Sequence, residues 1–175
     1  MMQLARPVTL AAAVMATVVM AAPLAAKDSL GVFGQWGAFR DPQVPRCYAI
    51  AMAEKPAAAE PRIHTPFASI GTWPKRDVRG QLHLRLSRDV VAKAPINLVV
   101  GNQRFVLTGG GGDAWAIDKK MDAAVVAAMR SAATLSVSGT DGTGHRFTDR
   151  YGLAGAATAL DAATVGCARM QRQGG

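Results

Sequence analysis

Cysteine is scarce in this sequence, and Cys47 and Cys167 are the whole supply. There is no Cys-x-x-Cys and no histidine at ligand spacing from either thiol, which excludes the local zinc and redox motifs. His64, His83 and His145 have no Cys, Asp or Glu partner at helical or hairpin ligand spacing, so no metal and no cofactor is expected. Gly-x-Ser-x-Gly is missing, as is a cysteine near a histidine, which removes the usual local marks of a nucleophilic hydrolase. The four glycines at 109–112 are not followed by Gly-Lys-Ser/Thr and read as a flexible turn, not a phosphate loop. Acid is also in short supply. Twelve Asp and Glu stand against 20 Lys and Arg, for a formal charge of +8. Such a field attracts polyanions within about a Debye length, and it also keeps a small domain soluble.

A long apolar run occurs once, at the start. Arg6 is followed by apolar residues from Val8 to Met20, then Pro23-Leu24-Ala25-Ala26 before the charged Lys27-Asp28. A short cationic end, an apolar stretch and a small-residue end are the three parts of a cleavable secretory signal. Residues 1–26 are therefore expected to be removed, leaving no stable transmembrane segment and a periplasmic or outer-envelope protein. In that oxidising compartment the two cysteines are expected to form one disulfide, Cys47 to Cys167.

The remainder divides into a β-sandwich domain at 27–169 and a disordered tail at 170–175. Short apolar runs separated by Gly, Pro and Asp place strands near 33–39, 46–52, 67–73, 80–87, 96–100, 104–108, 134–139 and 146–151, the pattern of a sandwich or barrel. Gly101-Asn102 and Asp141-Gly142-Thr143-Gly144 are tight turns, so the strands they join are antiparallel. Asp118 caps a helix at 118–132 whose Met121, Val125, Ala128 and Met129 face one side. A shorter helix at 156–165 is expected to stop at Gly166. The proline-rich 54–66 reads as an exposed, mobile connection. Trp36, Trp73 and Trp115 stand near strand ends, where each ring either closes the core or offers a flat face to a ligand.

Several stretches together resemble the invasion associated locus B family of exported bacterial proteins. They are Phe33-Gly34-Gln35-Trp36 with Phe39, Arg46-Cys47-Tyr48-Ala49-Ile50, Phe67-Ala68-Ser69-Ile70, Asp113-Ala114-Trp115, Met129-Arg130-Ser131 and Tyr151-Gly152-Leu153-Ala154-Gly155 with Ala159-Leu160. The resemblance implies a mainly β, antiparallel immunoglobulin-like β-sandwich with one or two short packed helices, resident in the envelope, and it implies no reaction. Family members commonly carry a further cysteine soon after the first-strand tryptophan, where this chain has Phe39-Arg40-Asp41.

One candidate site comes from the strand Gln81-Leu82-His83-Leu84-Arg85-Leu86-Ser87. If the leucines point inward, Arg79, Gln81, His83, Arg85 and Ser87 line the opposite face, with Arg88 beside them. Two readings stay open: a solvated face, or an anion-binding row of Arg79, His83, Arg85 and Arg88 that docks anionic lipid or acidic glycan. Nucleic acid is not expected, since an exported chain seldom meets it and no aromatic residue interrupts the row to stack on bases. The function expected is that of a non-enzymatic binding or structural module of the cell envelope. The alternative is a small periplasmic hydrolase whose site assembles only in the fold.

Overall fold

The alternation of apolar and polar residues along most of this chain has a period of two, which commits each segment to a strand with one face buried. The computed structural model describes residues 27–56 and 62–173, so the expected signal at 1–26 lies outside the described residues. The strands are β1 (Asp28–Phe33), β2 (Trp36–Asp41), β3 (Arg46–Met52), β4 (Phe67–Trp73), β5 (Val78–Val90), β6 (Ile96–Val100), β7 (Gln103–Trp115), β8 (Thr134–Thr140) and β9 (Arg146–Gly152). Two helices, α1 (Lys119–Met129) and α2 (Ala156–Gln173), and a 3-10 turn at Pro74–Arg76 complete the described elements.

All strand pairs are antiparallel, in the order β1-β2-β3-β4-β5-β7-β6-β8-β9. The long strands β5 and β7 serve both halves of the sandwich. Asp113 to Trp115 of β7 pair with β5, whereas Gln103 to Leu107 pair with β6. The bend falls at the four glycines, which are strand residues rather than the flexible turn expected from sequence. Gly111 takes a φ of 57°, which an L side chain resists, and a Cβ on Gly109 would collide with the Asp113 carbonyl.

Leu82, Leu84 and Leu86 are wholly buried, as their spacing requires. At about 1.5–3 kcal/mol for each side chain withdrawn from water, this row is a principal support of the core. It meets Leu98, Val100, Leu135 and Val137 from the other half. α2 covers the inner side of β1 to β4 with Ala156, Ala159, Leu160, Ala163 and Cys167, a stripe at helical spacing. The Cys47–Cys167 disulfide pins that helix to β3, with Cα atoms 5.6 Å apart.

Four further expectations need correction. The strand read at 33–39 is a hairpin, β1 turning into β2 at Gly34-Gln35, so that Trp36 is buried and donates its indole N–H to the Gly152 carbonyl at 2.9 Å. α2 does not stop at Gly166. It continues to Gln173, through most of the segment read as a tail, because Gly166 faces the Leu30 side chain, which a Cβ would meet at 2.5 Å. The glycine is there for close packing, not as a cap. Ser87 is buried beside Leu86, because β5 bulges between Arg85 and Val90 and the alternation breaks there. Finally, the described end of the proline-rich segment is tied down, with the Ile63 and His64 amides both donating to the Ser87 carbonyl that the bulge exposes.

Candidate functional site

Leucines on one face of β5 force its intervening residues onto the other, and the register extends that outer face across neighbouring strands. One row reads Ile50, Ser69, His83 and Trp115 across β3, β4, β5 and β7, and the next reads Met52, Phe67, Arg85 and Asp113. Neither helix covers this side, since α2 packs through the Cys47 and Ala49 side of the same sheet.

Asp113 organises the centre of the face. Its Oδ1 lies 2.9 Å from His83 Nε2, and its Oδ2 accepts from Arg85 Nη1 at 2.5 Å. The three groups are partly buried, with 29–31% of each side chain exposed. One carboxylate thus fixes an imidazole and a guanidinium side by side and balances the arginine charge. Trp115 stacks on His83 with ring centroids 5.2 Å apart and planes 9° from parallel, and Phe67 meets the imidazole edge-on at 5.3 Å. Trp115 remains 36% exposed, which leaves an indole surface open beside polar donors and acceptors.

A second aromatic group paves the same face toward β2. Phe39 stacks on Tyr48 at 5.6 Å, and the Arg46 guanidinium lies 4.7 Å from the Tyr48 ring centre and 5.9 Å from that of Trp73. Near the bend, His64 Nε2 lies 2.8 Å from Asp89 Oδ1. Gly112 leaves the room that lets His64 and Arg85 approach, since a Cβ there would stand 2.7 Å from the His64 ring and 2.9 Å from the Arg85 guanidinium carbon.

The four residues of the expected cationic row are therefore divided. His83 and Arg85 are brought together. Arg88 is turned away by the bulge and donates to Asp141 Oδ2 at 2.7 Å, with 15% of its side chain exposed. Arg79 leaves the row because β5 bulges at Gly80, whose φ of 64° breaks the alternation within the strand, and its side chain lines a cleft between α1 and α2. Of the tryptophans, Trp36 closes the core, Trp73 is half-buried and Trp115 is open.

Two buried carboxylates hold residues of β5 away from the site, Asp122 at Leu82 and Asp141 at Arg88, and their pKa values are shifted in opposite senses. Asp122 of α1 accepts from the Leu82 amide at 2.8 Å; burial raises its pKa, the nearby Asp118 charge acts in the same sense, and the Leu82 hydrogen bond opposes them. Asp141 in the β8–β9 turn accepts from the Thr143 hydroxyl at 2.6 Å, from the Thr143 and His145 amides, and from Arg88. These donors hold it well below the usual carboxylate range. Burial also raises the Tyr151 phenol far above its ordinary value. Among the described residues, no group of three or more His, Cys, Asp or Glu converges as a metal site. Both cysteines are in the disulfide, and His83 and His64 direct their hydrogen bonds to carboxylates.

Sequence reasoning found His83 and Arg85 but missed Asp113 as their partner. The signal was present in Asp113-Ala114-Trp115, a period-two triplet whose buried alanine sends both flanking side chains to the outer face. What no local pattern carries is the register that sets Arg85 against Asp113 across 28 residues.

No protein-family model matches this chain, and no curated protein matches it significantly. Among solved structures, the crystal structure of invasion associated protein B from Bartonella henselae aligns with a TM-score of 0.56 at 17% identity, covering 85% of this chain and 99% of that one. Among the described residues no helix is long and apolar enough to cross a membrane. The resemblance read from the sequence thus extends to three dimensions, and the chain has the fold of an invasion associated protein B.

Proposed function

We propose that this chain is an exported, non-enzymatic binding module of the cell envelope, of the invasion associated locus B type, that docks acidic envelope glycan on the outer face of β4, β5 and β7. The observation that carries the proposal is the open Trp115 indole stacked on His83, beside the Asp113 carboxylate shared with Arg85. A sugar ring presents an apolar face to an indole and hydroxyls to its neighbours, and this patch supplies both kinds of partner.

Of the anionic materials that the net charge suits, the geometry favours glycan over lipid phosphate on this face. Arg85 is balanced by Asp113, so the patch exerts little long-range pull on a phosphate layer, whereas its short-range donors and acceptors remain suited to hydroxyls and a carboxylate. The hydrolase reading would require a serine or cysteine held on a histidine, and among the described residues the hydrogen bonds of His83 and His64 go to Asp113 and Asp89 with no serine or cysteine joining them.

Retention on immobilised polygalacturonate, with neutral dextran as the comparison, tests the proposal on protein recovered from a periplasmic extract. Mass spectrometry of the same extract is expected to find Lys27 as the first residue. Wild type is expected to bind the acidic glycan, and Trp115→Ala to weaken that binding by about tenfold, the equivalent of roughly 1.4 kcal/mol. Equal retention of wild type and Trp115→Ala contradicts the proposal. Binding to anionic vesicles in place of polygalacturonate would assign the face to lipid phosphate.

A further inference from the structure

On the opposite side of the sheet a cleft of about 430 Å³ opens between α1, α2 and the ends of β4 and β5. That size lies within the range of about 300–1,000 Å³ typical of small-molecule sites. Ile70, Val126 and Leu160 supply apolar walls, while Ala123, Ala127 and Ala163 are too small to bring the helices into contact. α1 and α2 are bridged at the rim instead, where Arg130 Nη2 donates to Asp161 Oδ1 at 2.7 Å. The base is held in place by Cys167, bonded to Cys47 of β3, so the wall contributed by α2 is preformed.

The mouth is cationic. Arg79, released from the outer row by Gly80, lies 3.8 Å from Asp77, and both side chains are about four-fifths exposed. A pair so open to water holds its arginine only weakly. Lys75 and Arg76 form the last turn of the 3-10 segment whose first residue, Pro74, lines the cleft. An anion is therefore the complementary head group. The body of the occupant must be apolar and free of amides. The wall hydroxyls are already engaged, Thr164 donating to the Leu160 carbonyl at 2.8 Å and Thr72 accepting from the Gly80 amide at 3.1 Å, so a peptide backbone laid here would leave most of its polar groups unpaired.

We propose that this cleft binds a single-chain anionic amphiphile of the fatty acid class, its alkyl chain between α1 and α2 and its carboxylate at Arg79. The site is separate from the glycan face and does not depend on it. Arginine suits the head because its planar fork donates two parallel hydrogen bonds to a carboxylate.

Dodecanoate is the probe, titrated against the purified protein by displacement of a dansyl-labelled undecanoate, with dodecanol as the neutral control. Saturable dodecanoate binding is expected, together with weaker binding of dodecanol. Ala127→Trp fills the cleft from an exposed helical position and is expected to reduce dodecanoate affinity by about tenfold or more. Arg79→Ala, which leaves the Arg130–Asp161 bridge between the helices in place, is expected to erase the preference for dodecanoate over dodecanol while leaving dodecanol binding unchanged. No saturable binding, equal affinity of the wild type for both probes, or insensitivity to Ala127→Trp overturns the proposal. A change in sedimenting mass with Ala127→Trp, in place of a change in the dodecanoate titration, overturns it in favour of a second copy of the chain as the occupant.

Discussion

On β5, Leu82, Leu84 and Leu86 are wholly buried, whereas His83 and Arg85, one residue out of step with them, are partly exposed and held by a carboxylate from β7. The inner face is secured by area removed from water and by the covalent tie of α2 to β3. The three leucines are enclosed on all sides, so a deleted group there leaves a cavity. The outer face is secured by individual polar and ring contacts, each of modest net worth because water competes for the same groups. The difference separates stability from recognition within a single strand: substitutions on one side should unfold the protein, and substitutions on the other should leave it folded and change what it binds.

The largest effect expected is on the clamped inner face. Removing the disulfide with Cys47→Ser and Cys167→Ser frees a sequence separation of 120 residues. It should lower unfolding free energy by about 2–5 kcal/mol in denaturant titrations. A change below about 1 kcal/mol would mean that the alanine stripe of α2 holds the helix without help. Next comes Leu84→Ala, expected to cost about 2–5 kcal/mol through lost burial and a residual cavity.

A smaller effect should separate the two shifted carboxylates, Asp122 and Asp141. Asp141 is held below its ordinary pKa, so it stabilises the fold at neutral pH, and that contribution is lost as pH falls below the unfolded value of 3.8. Asp122 is held above its ordinary value, so its ionisation opposes folding, and its effect grows as pH rises above 3.8. Asp141→Asn should therefore flatten the acid limb of a stability-against-pH curve. Asp122→Asn, which keeps an acceptor for the Leu82 amide, should be neutral or stabilising at pH 7. The same direction for both variants at pH 7 would contradict the assignment. Smallest of all, Trp115→Ala and His83→Ala should each change unfolding free energy by less than about 1 kcal/mol, as expected for a half-exposed ring pair.

Much of the inner face is legible in the sequence. The leucine triplet, the Gly101-Asn102 hairpin, the Asp118 cap on α1 and the Cys47–Cys167 pair each depend on local spacing or on a supply of two, and each is present. The outer face was legible only in direction. Periodicity states that His83 and Arg85 point away from the leucines, but the carboxylate that meets them comes from β7, set opposite by a register that local pattern does not encode. Glycines misled most. Those at 109–112 bend a strand, Gly166 admits Leu30 into a helix, and Gly80 sends Arg79 to the other side, whereas composition alone offers turns and stops. Each of these roles depends on what lies across from the missing Cβ, which is a property of the fold.

The central claim, that the face built on His83, Arg85, Asp113 and Trp115 is a binding surface, is tested most directly by mapping amide chemical shifts of the labelled protein as polygalacturonate oligomers are added. Perturbations are expected to cluster on the outer rows of β4, β5 and β7, with the Trp115 indole N–H among the largest, and folded Trp115→Ala is expected to need about tenfold more oligomer to reach the same shifts on the remaining residues. Shifts that cluster elsewhere, or that persist unchanged in that variant, would contradict the claim.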